Sequence, residues 1–273
     1  MRKLARRAAA IAGAISVAAT AGTLHAPRAA ADGSTGGPGG PMAVAAWRAA
    51  GPATGERPID SYNWAGYAAA RAGLAFRSVR AAFSVPYADC GATPGASSSH
   101  WVGLDGLGSS SVEQIGVAIR CAGPKPQYYA WYEMYPKAVR VVFRVHPGNA
   151  IQASVHYQPS GRKFRLRLQD ISTGRRFSRT LRCAATACTR SSAEVISEAP
   201  TSAAGNILPL ADYRAAGFTA VAVGTARRHG GLRSRWWHTY RITGVGQTSH
   251  QVMERPSALY QGRSFSTYWF RRR

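Results

Sequence analysis

Residues 150–170 read AIQASVHYQPSGRKFRLRLQD, two runs of alternating apolar and polar residues joined by a Pro-Ser-Gly-Arg turn. A period of two puts neighbouring side chains on opposite faces, as in a pleated strand and unlike a helix. The pattern recurs along the chain in SYNWAGYAAA, SVRAAFSVP, HWVGLDG, VEQIGVAI, YYAWYEMYP, VRVVFRV and FSRTLRC, and later in AEVISEAP, GFTAVAVGTA, WWHTYRIT and SFSTYWFRR. Each run is rich in β-branched or aromatic residues and bounded by Gly, Pro, Asn or Ser. Only the stretch near Leu208–Ala215 reads as a short helix or turn. Many short half-buried strands predict an all-β fold, an antiparallel two-sheet β-sandwich of jelly-roll or concanavalin-like type.

The first residues read as an address. Arg2, Lys3, Arg6 and Arg7 precede an Ala-rich apolar stretch from Ala8 to about Leu24, with a cleavage position after Ala31. This is the pattern of a signal peptide over 1–31, too short and too Ala-rich for a stable spanning helix. Residues 32–57 are rich in Gly, Pro and Ala and read as a linker or short pro-segment, leaving 58–273 as one β domain. The mature protein is expected to be secreted, monomeric and without a transmembrane segment. In an exported chain Cys90, Cys121, Cys183 and Cys188 favour disulfides over a metal site. Of three pairings, Cys183–Cys188 as a local clip with Cys90–Cys121 as a longer tie is preferred.

Lys and Arg number 35 against 12 acidic residues, a formal net charge of +23. The arginines are scattered, so the charge is first a surface property; anionic polymers are a secondary, nonspecific partner class.

His-Glu-x-x-His, Gly-x-Ser-x-Gly and Walker motifs are absent. What remains is three adjacent stretches, HWVGLDG (100–106), VEQIGVAI (112–119) and YYAWYEMYP (128–136). Alternation gives Glu133 one face with Tyr129, Trp131 and Tyr135, and gives Gln114 one face with Val112, Gly116 and Ala118. A carboxyl among rings loses hydration, which favours its neutral form. If the strands are neighbours, Glu133 and Gln114 converge between Trp101 and Trp131. A carboxyl there can take a proton from water and return it to a leaving amine, while an amide N–H steadies the oxyanion. That chemistry needs neither metal nor cofactor. Asp105 reads as a structural carboxylate and Glu113 as an outward-facing one. Glu194 and Glu198 read as a solvated strand edge, and His100 as a polar residue at a strand start.

The ordered series NWAGY (63–67), WVGLDG, QIG (114–116), AWYEMYP (130–136), AEVISEAP (193–200), LPLADY (208–213) and PSALYQGRSFSTYW (256–269) resembles the glutamic endopeptidases, the eqolisins, in a bacterial-type form. The resemblance implies a two-sheet β-sandwich and peptide hydrolysis at acidic pH by a Gln/Glu dyad, carried by motif onto Gln114 and Glu133. It also implies Trp64, Trp101, Asp105 and Trp131 as cleft or supporting residues, and polypeptides as substrates. The rival reading is a carbohydrate- or polymer-binding jelly roll in which Trp101 and Trp131 stack on ligand without catalysis.

Overall fold

The computed structural model describes residues 44–47 and 55–272. The expected signal peptide and most of the expected linker lie outside the described residues. The described chain is built from strands, with turns and irregular segments between them.

Nine strands form the first layer. Their order is β1 (Val44–Trp47), β2 (Glu56–Ser61), β15 (His238–Val245), β3 (Trp64–Ala70), β12 (Ser192–Glu198), β5 (Ser97–Leu104), β6 (Val112–Arg120), β7 (Gln127–Tyr135) and β8 (Arg140–Arg144). The second layer runs β16 (Val252–Pro256), β17 (Phe265–Trp269), β13 (Ala215–Thr225), β4 (Phe76–Ser84), β9 (Ala150–Gln158), β10 (Lys163–Asp170) and β11 (Arg176–Arg182). The short β14 (His229–Gly230) folds onto β13. Pairing of β15 with β16 carries hydrogen bonding from one layer to the other. The pairings are antiparallel except for β2 with β15, which run parallel.

The inward side chains of both layers make the core. Val102 and Leu104, Ile115 to Ile119 in alternation, and Ala193 and Val195 pack with Val79 and Phe83, Ile151 to Val155, Phe164 to Leu168 and Phe218 to Val223. Burying one such side chain contributes about 1.5–3 kcal/mol, which is why a two-residue period suffices to specify the layers. The disulfides are Cys90–Cys121 and Cys183–Cys188, the preferred pairing.

Several expectations change. The segment expected to be a linker over 32–57 supplies β1 and the start of β2, so the sheet begins before residue 58. No helix forms near Leu208–Ala215: Leu210 bridges Ser97 and Asp212 bridges Asp89, holding the chain extended while Leu210, Ala211 and Tyr213 are buried. Glu194 and Glu198 are on no solvated edge, because β12 is hydrogen-bonded on both sides and both residues are fully buried. Glu113 is likewise buried, with its carboxyl close to the Cys183 and Cys188 sulfurs. His100 is buried too, its Nδ1 2.8 Å from Ser197 Oγ, and desolvation pushes its pKa down to about 3.

Candidate active site

Register lines the outward side chains of the first layer into rows. One row runs Glu194, Gly103, Gln114, Glu133, each the direct cross-strand partner of the next. The adjoining row is Ile196, Trp101, Gly116, Trp131, and the one beyond it begins with Trp64 and Glu198. The sequence therefore brings Gln114 and Glu133 together as expected, and adds Glu194 to the same line.

Two glycines make the row possible. A Cβ on Gly103 would stand 2.8 Å from the Trp101 ring, so the indole leans over the space a side chain would fill. A Cβ on Gly116 would collide with the His100 carbonyl and Trp101 Cβ. Gly103 leaves Gln114 and Glu194 with no side chain between them, and Gly116, in the adjoining row, makes room for Trp101.

Gln114 donates from Nε2 to Glu133 Oε2 at 2.8 Å. Burial pushes the Glu133 pKa up to about 9, the nearby Glu198 carboxyl adds to the rise, and the Gln114 hydrogen bond opposes it. Glu194 is raised well above the usual carboxylate range, chiefly by burial. The neighbouring Ser192 hydroxyl draws it partly back, while Asp105 and Glu113 push it further up. Both Glu194 oxygens nevertheless lack a hydrogen bond of ordinary geometry, as do Gln114 Oε1 and the Trp131 and Trp64 indole nitrogens. Buried polar atoms are nearly always paired, so a group of orphans on one face marks a place prepared for water or a ligand.

The tryptophans form the rest of this face. Trp64 and Trp101 meet edge to face at 4.9 Å, and the Trp101 indole donates to Glu198 Oε2 at 2.8 Å. Trp64, Trp101 and Trp131 are wholly buried. Asp105 is placed differently. At the end of β5, with φ 68°, it accepts from Thr189 Oγ1 at 2.8 Å and from the Arg190 and Ser191 amides at 2.7 and 2.8 Å. Its carboxylate is spent on holding the loop that leads into β12, which carries Glu194.

The Peptidase A4 family model matches residues 62–257, well over half of the chain and the whole span that holds this row.

The chain belongs to the Peptidase A4 family.

It is therefore a glutamic-type peptidase, a member of the eqolisins, and its substrates are polypeptides. Solved structures show the same fold. Scytalido-glutamic peptidase bound to a transition-state analog inhibitor is 24% identical with a TM-score of 0.65, covering 77% of this chain and 98% of its own. SCP-B, an eqolisin in complex with the tripeptide Ala-Ile-His, is also 24% identical, with a TM-score of 0.62 and the same coverages. Aspergilloglutamic peptidase from Aspergillus niger is 21% identical, with a TM-score of 0.55, covering 64% of this chain and 99% of its own. No curated protein matches.

Sequence reasoning missed Glu194 in the peptidase's central row. Polar residues at alternate positions of β12 looked like a surface pattern. The contrary signal was present: Glu194 and Glu198 flank Ile196 in a chain with only 12 acidic residues, inside one of the motifs that carry the family resemblance.

Proposed function

We propose that this peptidase is an exported endopeptidase in which Glu194 and Gln114 activate water directly, with Glu133 positioning Gln114. The supporting observation is the row itself, where Gln114 stands between a carboxyl that it already holds and one whose oxygens are unpartnered. Water admitted with a peptide sits against Glu194. The carboxylate takes a proton as the water oxygen bonds to the scissile carbonyl carbon. One Gln114 N–H stays on Glu133, and the other donates to the oxyanion, an interaction of the kind worth about 3 kcal/mol of barrier. The tetrahedral adduct collapses, the C–N bond breaks, and Glu194 passes its proton to the departing amine. Glu133 serves best when neutral, because an anion there would repel the oxyanion; burial keeps it so on the acidic side of about 9.

A second reading makes Glu133 itself the base, as the motif resemblance implied, and the direct 2.8 Å contact with Gln114 favours it. One experiment separates the two. The purified protein is incubated with a denatured protein across pH, in the presence of pepstatin, and products are identified by mass spectrometry. Internal cleavage that vanishes in Glu194→Gln and Gln114→Ala but survives at reduced rate in Glu133→Gln supports the first reading. Loss in Glu133→Gln with survival in Glu194→Gln supports the second. Absence of cleavage by the unaltered protein at every pH overturns both.

A further inference from the structure

The outward face of the second layer carries a different chemistry. There Arg80, Ser154 and Arg167 are consecutive cross-strand partners on β4, β9 and β10, and Ser78, His156 and Arg165 form the next row. Two adjoining hollows of about 670 and 770 Å³ open on this face and share Arg80, Ser154 and Arg167. Arg165 and Arg263 line the first, Arg176 the second, and neither is lined by a single Asp or Glu. Alternation builds this arrangement, since Phe164, Leu166 and Leu168 point into the core and leave Arg165 and Arg167 outside.

Arg263 donates to the Val221 carbonyl at 3.2 Å. The side chains of Arg80, Arg165, Arg167 and Arg176 make no ion pair and no hydrogen bond among the described residues. Their field is felt nearby: besides desolvation, the charges of Arg165, Arg167 and Arg77 hold the His156 pKa below its ordinary value. An uncompensated positive hollow recruits anions by focusing the field between low-dielectric walls.

The spacing indicates the shape of the anion. Arg165 and Arg167, two residues apart on one strand, are about 7 Å apart, and Arg80 and Arg167, two strands apart, about 10 Å. That spread suits successive charges along a chain better than one compact ion. Guanidinium forks with serine hydroxyls at Ser78, Ser154 and Ser178 suit the oxygens of phosphate. Phe177 is the one Phe, Tyr or Trp lining either hollow, and its ring stacks on Tyr132, so the face lacks the platforms that grip bases.

We propose that the outward face of β4, β9 and β10 binds a linear phosphate polymer and tethers the peptidase to a polyanionic matrix, on the opposite side of the sandwich from Gln114. The test measures binding of inorganic polyphosphate of defined length as salt is varied, with a glycerol-phosphate polymer in parallel to distinguish the source of the phosphate. Replacing Arg80, Arg165 and Arg167 by Gln is expected to weaken binding about tenfold or more and to reduce the slope of log affinity against log salt by about 2. A charge-matched control replaces exposed Arg71, Arg140 and Arg235 by Gln and is expected to change affinity less than about threefold. Arg80→Gln alone, with an unchanged melting temperature, should show a smaller loss in the same direction. Equal losses in the two triple variants would reduce the effect to global charge and overturn the proposal. So would tighter binding of single-stranded DNA of matched charge, or no binding of either phosphate polymer at physiological salt. Each readout is independent of peptide cleavage.

Discussion

Gly103 and Gln114 face each other across adjacent strands so closely that a Cβ on the glycine would stand 3.3 Å from Gln114 Cβ. The same atom would press on the Trp101 ring. Gly103→Ala must therefore move the amide, the indole or both. Overpacking of this kind costs about 1–3 kcal/mol of stability. The loss in kcat is expected to be larger, about a hundredfold, because misplacing a catalytic group by about an ångström is costly in rate. Steady-state kinetics beside a thermal melt checks this; a variant with wild-type kcat would show that the row needs no open space at Gly103.

Glu133 and Glu194 should separate in their pH profiles. With Glu194 as the base, Glu194→Gln removes the proton acceptor and is expected to cost about 10²–10⁴ in kcat/KM where Glu194 is ionised, a condition that its burial moves to higher pH and that sets the acidic limb. Glu133→Gln keeps a neutral acceptor for the Gln114 N–H and is expected to cost about tenfold. Its informative effect is on the basic limb. In the unaltered peptidase, activity should fall as pH rises toward about 9, where Glu133 ionises beside the oxyanion. The Gln variant has no proton to lose there, so its fall should be absent or displaced. An unchanged basic limb would remove Glu133 from that role.

Trp101 donates to Glu198, and the next row of the same face depends on that bond. Trp101→Phe preserves a ring against Trp64 but removes the 2.8 Å donor to Glu198 Oε2, keeping the longer 3.3 Å contact from Ser99 Oγ. Removing the donor is expected to cost about 1–3 kcal/mol, read as a shift in the denaturation midpoint. The kinetic effect should be smaller than for Gly103→Ala, since Gln114 and Gly103 are untouched.

The layers were legible in the sequence because most strands carry one apolar and one polar face, as RLRLQ at 165–169 does with Leu166 and Leu168 inside. The strands that escaped notice are those where the pattern fails. In β2, ERPIDS mixes charge and proline, and its place comes from parallel pairing with β15, a long-range relation that local alternation does not encode. The direct meeting of Gln114 with Glu133 was readable from motif order and strand parity. Glu194 was not, for a physical reason: alternation assigns a face but does not say whether that face is wet. Here the first layer's outer face is lined by buried tryptophans, so polar residues that alternation alone would send to solvent are enclosed with them.

The same enclosure predicts how stability responds to pH. Tyr213 donates to Glu254 Oε2 at 2.6 Å in a fully buried setting, and burial pushes the Glu254 pKa up to about 8, against an ordinary value of 4.5. Below about 4.5 the carboxyl is protonated in both the folded and the unfolded chain, and its burial carries no pH-dependent cost. Above that value the unfolded chain releases the proton while the folded chain keeps it, so stability declines with rising pH until the folded group also ionises near 8. Glu113, Glu133 and Glu194 are shifted in the same direction and add to the decline. Melting temperature should therefore fall from mildly acidic pH into the alkaline range. The four carboxyls outweigh His100, which is held down to about 3 and opposes the fall only below its ordinary value of 6.5. Glu254→Gln, whose carbonyl still accepts from Tyr213, should make that fall shallower between about 4.5 and 8 without abolishing it. Calorimetric melts of both forms across pH provide the check. A melting temperature that rises toward alkaline pH, or identical slopes in the two proteins, would mean that Glu254 is not held neutral inside the fold.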